Sequence, residues 1–263
     1  MQKIAIVTGG SGGIGLEAAR ALSERGAKVY ALSRRAPEGF EFPHIACDVS
    51  DAVAVRRAVE GVLAAEGRVD ILVNCAGFGI SGAFEFTDPA DAKRLMDVNV
   101  FGMSNAIQAV LPAMRSQGAG QIVNVSSVAA VAPIPFQAWY SISKAAVNAL
   151  TMAVANEVRP FGITVCALMP GDVRTGFTAA REKSALGDDV YSGRIARSVG
   201  RMERDEQNGM SARFAGRRIA RLACRRRVSP LNTLGVAYSA CALLIRLLPS
   251  RTLRCILGKM YAQ

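Results

Sequence analysis

At 263 residues, 51% of them hydrophobic, the chain is long enough for a sizeable core and too apolar to be disordered throughout. A lone histidine, His44, excludes a histidine-based triad and any metal site needing two imidazoles. Six cysteines without a Cys-x-x-Cys pair read as buried free thiols rather than zinc ligands or disulfides. The net charge of +11 is uneven: residues 1–200 carry 19 Lys and Arg against 18 Asp and Glu, whereas residues 201–263 carry 13 against 3.

The chain opens on a short apolar run at residues 4–7, too short for the apolar region of a signal peptide, so the cytoplasm is the default compartment. Without alternation, that run predicts a buried parallel strand. Thr8-Gly9-Gly10-Ser11-Gly12-Gly13-Ile14-Gly15 follows, and residues 16–25 have helical spacing. A glycine turn between strand and helix is the setting of a phosphate cradle. The glycines let a pyrophosphate approach the backbone, and the helix start offers free N–H groups. The second predicted strand, 27–32, ends in Ser33-Arg34-Arg35. At that end of a dinucleotide fold an acid would hold the ribose 2′-hydroxyl. Two guanidinium groups favour a 2′-phosphate instead, so the expected cofactor is NADP(H). A third strand at 45–49 puts Asp48 where the adenine edge would lie, and a helix is predicted over 51–66.

The fourth strand, 69–73, ends in Asn74-Cys75-Ala76-Gly77, small residues across which a cofactor could lie. Asp88 as N-cap and Pro89 in the first turn open a long helix to Met114. Asn99 falls inside it, flanked by Val98 and Val100. A buried asparagine needs partners, either helix backbone or a held water. The fifth strand, 121–125, carries Ser126-Ser127 at its carboxyl end, where open parallel sheets bind ligands. In a helix predicted over 138–158, Tyr140 and Lys144 stand four apart, so their side chains share a face. A cation beside a phenol favours the phenolate, which would let Tyr140 move a proton near neutral pH. The apolar loop at 132–136 suits a substrate wall. The sixth strand, 162–168, runs into Met169-Pro170-Gly171-Asp172-Val173-Arg174-Thr175, and 230–235 fits a seventh.

Strands alternating with helices, without a linker or internal repeat, predict one Rossmann-type, doubly wound α/β domain over 1–263 with strand order 3-2-1-4-5-6-7. A lid over the site and a plain, partly helical connection both fit residues 176–210. A basic helix is predicted over 211–227. In the tail, 236–263, Leu243, Leu244, Leu247 and Leu248 recur at helical spacing, as do Leu253, Ile256, Leu257 and Met260, with Pro249 between the two sets. The apolar run is too short to span a membrane. Three fates fit the tail: closing the substrate pocket, forming a subunit interface, or touching a membrane surface. Nucleic acid is not expected, because no reading motif accompanies Arg217, Arg218, Arg221 and Arg225 to Arg227.

Thr8-Gly9-x-x-x-Gly13-Ile14-Gly15, Asn74-Cys75-Ala76-Gly77, Asn99, Ser127, Tyr140-x-x-x-Lys144 and Pro170-Gly171-x-Val173-x-Thr175 together resemble the short-chain dehydrogenase/reductase family over roughly residues 1–176. Cys75 departs mildly from the second asparagine usual there. Residues 170–177 and the hydrophobic tail also look like its hydroxysteroid and retinol dehydrogenase branch.

The resemblance implies Tyr140 as general acid/base, Lys144 lowering its pKa and bonding the cofactor ribose, Ser127 holding the substrate oxygen, and Asn99 positioning a water in a proton relay. It implies a cofactor site of Thr8, Gly9, Ser11, Gly13, Ile14, Gly15, Ser33, Arg34, Arg35, Asp48, Val49, Asn74, Ala76, Gly77, Tyr140, Lys144, Pro170, Gly171, Val173 and Thr175. The expected activity is interconversion of a ketone and a secondary alcohol by hydride transfer with NADP(H), on a lipophilic substrate, in a homodimer or homotetramer, with no metal. The alternatives are a non-catalytic NADP(H) sensor or scaffold, and a reductase of acyl thioesters or small carbonyls.

Overall fold

A computed structural model describes residues 1–225 and 227–261. Its centre is a parallel sheet of β1 (Ile4–Thr8), β2 (Lys28–Ser33), β3 (His44–Ala46), β4 (Ile71–Asn74), β5 (Gly120–Val125), β6 (Ile163–Met169) and β7 (Leu231–Thr233). The spatial order is β7-β6-β5-β4-β1-β2-β3, so the doubly wound order expected from the sequence is what forms. The central strands are apolar on both faces because each face meets helices. Ile4, Ile6, Leu72 and Ile122 join one core with α2 (Ala52–Glu66), α4 (Gly102–Gln117) and α5 (Ala138–Val158). Their neighbours Ala5, Val7, Ile71, Val73 and Val123 face the other core, with α1 (Gly13–Ser23) and α8 (Ala212–Ala223).

Local chemistry sets the element ends. Asp51 caps α2 by accepting from the N–H groups of Val53 and Ala54, and Gly67 closes it in the left-handed conformation. Asp88 caps α3 (Pro89–Met96), with Pro89 in its first turn. Helix α8, basic outside, buries Ala215, Ile219, Leu222 and Ala223. It lies so close to α1 that a Cβ on Gly216 would stand 2.4 Å from the Glu17 backbone. Arg226, in the basic cluster noted above, lies outside the described residues.

Four expectations need correction. The long helix expected through Asn99 is interrupted: α3 ends at Met96, a π turn spans Asp97–Phe101, and α4 runs on to Gln117. An inserted residue widens one turn without destroying apolar spacing on either side, so periodicity did not reveal it. Strand β3 is only His44–Ala46, because Asp48 turns the chain by accepting from the N–H and hydroxyl of Ser50. The basic helix stops at Ala223, four residues short of its expected end. Cys47 and Cys166 are buried as expected, but Cys224, Cys241 and Cys255 are exposed.

Residues 176–210 contain α6 (Phe177–Ala180), a two-residue strand Glu182–Lys183 paired with Ile80–Ser81, and α7 (Arg194–Gln207). The tail forms α9 (Val236–Leu247) and α10 (Ser250–Tyr261), separated at Pro249.

Candidate active site

The glycine turn lies across the carboxyl ends of the central strands. Gly9 (φ +64°) bonds its N–H to the Leu32 carbonyl at 2.8 Å, and a Cβ there would meet the Ala76 nitrogen at 2.8 Å. A Cβ on Gly15 would stand 2.2 Å from the Gly9 carbonyl oxygen. The turn can therefore fold over the β4 end only with glycine at both positions. Gly12 precedes α1 without a side-chain cap, and the first turn of α1 holds no acid, leaving its N–H groups for an anion.

Two cavities meet here. One, of about 480 Å³, is lined by the glycine turn with Ser127, Tyr140, Lys144, Gly171, Val173 and Thr175. The other, of about 530 Å³, is lined by Ser33, Arg34, Arg35, Asp48 and Val49. Gly9, Ser11, Ala76 and Gly77 border both, so the two form a continuous trough across the sheet. Arg34 and Arg35 are exposed at one end of it. The hydrogen bonds from Ser50 hold the Asp48 carboxyl below its usual range, and the Arg34 charge adds a smaller lowering.

Several expected site residues are committed to scaffolding. Thr8 Oγ1 accepts from the N–H groups of Cys75 (3.2 Å) and Ala76 (3.3 Å) and donates to Asn74 Oδ1. Asn74 Nδ2 donates to Asn124 Oδ1 at 3.0 Å within the sheet, and Asn74 is buried. Both residues shape the β4 end from beneath; neither side chain lines the trough. Pro170 anchors its loop by accepting from the Val128 N–H at 2.9 Å, and Val173–Arg174 pairs with Met210–Ser211. Thr175 stands over the turn, 3.6 Å from where a Cβ of Gly13 would be.

At the other end, Tyr140 and Lys144 leave the same face of α5. Lys144 is buried and donates to the Val125 carbonyl at 3.0 Å, with its Nζ 5.6 Å from the centre of the Tyr140 ring. Burial lowers the Lys144 ammonium to about 8. Burial also pushes the Tyr140 phenol up to about 12, against the pull of the Ser127 hydroxyl beside it. The expected lowering of Tyr140 by the lysine is thus not seen in the protein alone: desolvation dominates, and the opposing pulls come from Ser127 and Arg181. A high phenol is a held proton, ready for an oxygen that gains negative charge nearby.

Asn99, in the π turn, is fully buried. Its Nδ2 donates to the Phe78 carbonyl (2.9 Å) and to Ser143 Oγ (3.1 Å), and its Oδ1 accepts from the Phe78 N–H (3.0 Å). Ser143 in turn donates to the Tyr140 carbonyl at 2.7 Å. Asn99 therefore ties the loop after β4 to the first turn of α5; its partners are the backbone of a loop residue and a serine hydroxyl, not the helix backbone expected from the sequence.

Two features had no local signal. Tyr238 on α9 lies against Gly171, so a Cβ on that glycine would strike the ring at 2.2 Å, and its hydroxyl donates to Asp172 Oδ2 at 2.5 Å. Arg181, almost fully buried, pairs with Glu206, which also accepts from Thr178 Oγ1 at 2.6 Å. These contacts hold α6, α7 and the tail around the site, and Phe177 packs with its ring centre 5.7 Å from that of Tyr140. Both pairs span too many residues, 66 and 25, to be read as motifs.

Among known proteins, the family model described as short chain dehydrogenase matches residues 3–185. A 3-ketodihydrosphingosine reductase from Bacteroides thetaiotaomicron is 40% identical over 227 residues, covering 85% of this chain and 84% of its own. A short-chain dehydrogenase structure from Streptomyces avermitilis superposes with a TM-score of 0.82 at 31% identity, covering 98% of this chain and 96% of that one. ElxO, solved with NADP bound, shares the fold at 24% identity, with a TM-score of 0.75 over 91% of this chain and 100% of that one.

Proposed function

We propose that this chain, which belongs to the short-chain dehydrogenase family, is an NADP(H)-dependent oxidoreductase interconverting a lipophilic ketone and its secondary alcohol. The observation that carries the reading is the trough itself: Ser127, Tyr140 and Lys144 line the same cavity as the glycine turn, and Arg34 and Arg35 line its far end. The glycine turn and the start of α1 fit a pyrophosphate. The two exposed guanidinium groups fit a 2′-phosphate. Gly171, Val173 and Thr175 would border the nicotinamide. When bound there, the cofactor supplies the hydride.

The protein's own part is geometry and a proton. Ser127 and Tyr140 would hold the substrate oxygen from two sides, and the Tyr140 hydroxyl would donate as that oxygen becomes an alkoxide. The raised Tyr140 pKa keeps the phenol protonated near neutral pH, the form that donates when a ketone is reduced. Lys144 would hold a ribose hydroxyl and keep positive charge behind the phenol. Asn99 would act as a positioning residue, fixing the first turn of α5 through Ser143.

The apolar wall of Val128, Ile134, Phe177 and Ala180 supports a lipophilic substrate. The name of the Bacteroides relative makes a long-chain sphingoid ketone the first candidate, ahead of a steroid or retinoid. The reading includes a cytoplasmic homodimer or homotetramer.

The test is a substrate panel followed by loss of NADPH absorbance: 3-ketodihydrosphingosine, steroid ketones, retinaldehyde, acetoacetyl thioesters and small ketones, each with NADPH and with NADH. Turnover of the long-chain ketone with NADPH well above NADH is the expected result. A preference for NADH would overturn the cofactor assignment, and turnover confined to small polar carbonyls would overturn the substrate class.

A further inference from the structure

Residues 207–263 contain 11 Lys and Arg and no Asp or Glu. Within that stretch, α9 is apolar on two faces. Tyr238, Ala242 and Ile245 turn inward, with Tyr238 on Gly171 and Ala242 buried. Val236, Ala240, Leu243, Leu244 and Leu247 follow the spacing of one helix face, and all are exposed. Val236 is 91% exposed and Leu247 75%, values of surface lysines rather than of core residues. After Pro249, α10 adds exposed Ile256 and Met260 among exposed Arg251, Arg254 and Lys259. The pair is not frayed from the body. Tyr261 packs under Arg201, 5.5 Å from cation to ring centre, while Tyr238 is fixed to Asp172.

An apolar stripe on two helices that carry cations and no acid of their own calls for a partner that offers both hydrocarbon and negative charge. A second copy of the same face would bring cations against cations. Among the described residues no helix is long and apolar enough to cross a membrane. An anionic bilayer met in the plane supplies both requirements: acyl chains for the stripe and headgroups for the arginines.

We propose that α9 and α10 seat the protein in the plane of an anionic lipid surface, with the leucine face of α9 among the acyl chains and Arg251, Arg254 and Lys259 at the headgroups. The same helix that lies on the lipid packs its Tyr238 against Gly171 and Asp172, which line the site. Docking itself needs no assumption about the substrate. Its benefit, delivery of a membrane-dissolved ketone to Tyr140, rests on the reading of a lipophilic substrate above.

The experiment is co-sedimentation of the full-length protein with phosphatidylcholine vesicles, with and without phosphatidylglycerol, at low and high salt. Binding should require phosphatidylglycerol and weaken with salt. Each basic residue near such a surface is worth roughly fivefold in affinity. A variant with Arg251→Gln, Arg254→Gln and Lys259→Gln should therefore bind on the order of a hundredfold more weakly. Leu243→Asp with Leu244→Asp and Leu247→Asp should abolish binding at an unchanged thermal midpoint, since those side chains are already outside the core. Full-length protein that stays in the supernatant with anionic vesicles overturns the proposal. So does equal binding to neutral vesicles, or a leucine variant that binds lipid normally while losing a dimeric mass, which would assign the face to a second copy. No outcome depends on turnover, so a wrong substrate assignment cannot mimic failure of docking.

Discussion

Lys144→Met separates what this lysine does for the reaction from what it costs the fold. The ammonium is 6% exposed, and its ordinary value of 10.5 falls to about 8 through burial. Near neutral pH that fall amounts to a penalty of about 3 kcal/mol on folding with the cation in place. Methionine keeps most of the chain length and removes the charge. It also removes the bond to the Val125 carbonyl, leaving a buried acceptor at a cost of about 1–2 kcal/mol. The variant should therefore be more stable than the wild type by about 1–2 kcal/mol at neutral pH.

The pH dependence has a definite sign. Between about 8 and 10.5 the folded chain has released a proton that the unfolded chain still holds, so the wild type gains stability as pH rises through that window. The advantage of the variant should shrink over the same window and vanish or reverse at its top. Urea unfolding of both proteins at neutral pH and near the upper end of the window measures this, because the other titrating groups cancel in the difference. Turnover with NADPH should be lost in the variant. A methionine variant less stable than the wild type by an amount independent of pH would refute the claim that this cation is held at a cost.

Tyr140→Phe should lower kcat by about 10²–10⁴ while NADPH titration gives a nearly unchanged Kd, because only the proton donor is removed. Arg34→Glu should raise the KM for NADPH by roughly 10–100-fold, the worth of one charge-assisted bond plus new repulsion, with little change for NADH. Equal losses with both cofactors would detach Arg34 from the 2′-phosphate. Gly15→Ala should abolish cofactor binding and lower stability by about 2 kcal/mol or more, since its Cβ would fall 2.2 Å from the Gly9 oxygen. A variant that binds NADPH normally would show that the turn yields more easily than its packing implies.

The parts of the fold readable in the sequence were those written in local chemistry. Helix α5 occupies the residues its periodicity predicted, and the strand order follows from strands alternating with helices. Tyr140, Lys144 and the glycine turn converge because parallel strands deliver their carboxyl ends to one side of the sheet. What the sequence withheld was mostly direction and distance. Nothing local distinguishes Asn74, whose amide is used up within the sheet, from Gly77, which borders the trough. Helical spacing gave the tail its two helices, but not that Tyr238 turns toward Asp172 while Leu243 and Leu247 turn away. The phenol was expected to lose its proton more readily because the lysine is visible in sequence, whereas the burial that raises it appears only once the chain is folded.

The two border strands, β3 and β7, are three residues each, while the strands between them run from four to seven. A parallel sheet this apolar would be a template for its neighbours if its margins were long, since unpaired amides recruit any passing extended chain. Here each margin offers only three residues to pair with, and Asn232 on β7 spends its side chain on the Ala167 and Ser229 carbonyls. The sheet thus stops growing by running out of edge. A chain with such margins can keep an uncovered greasy helix elsewhere on its surface without inviting fibre-like stacking through its core.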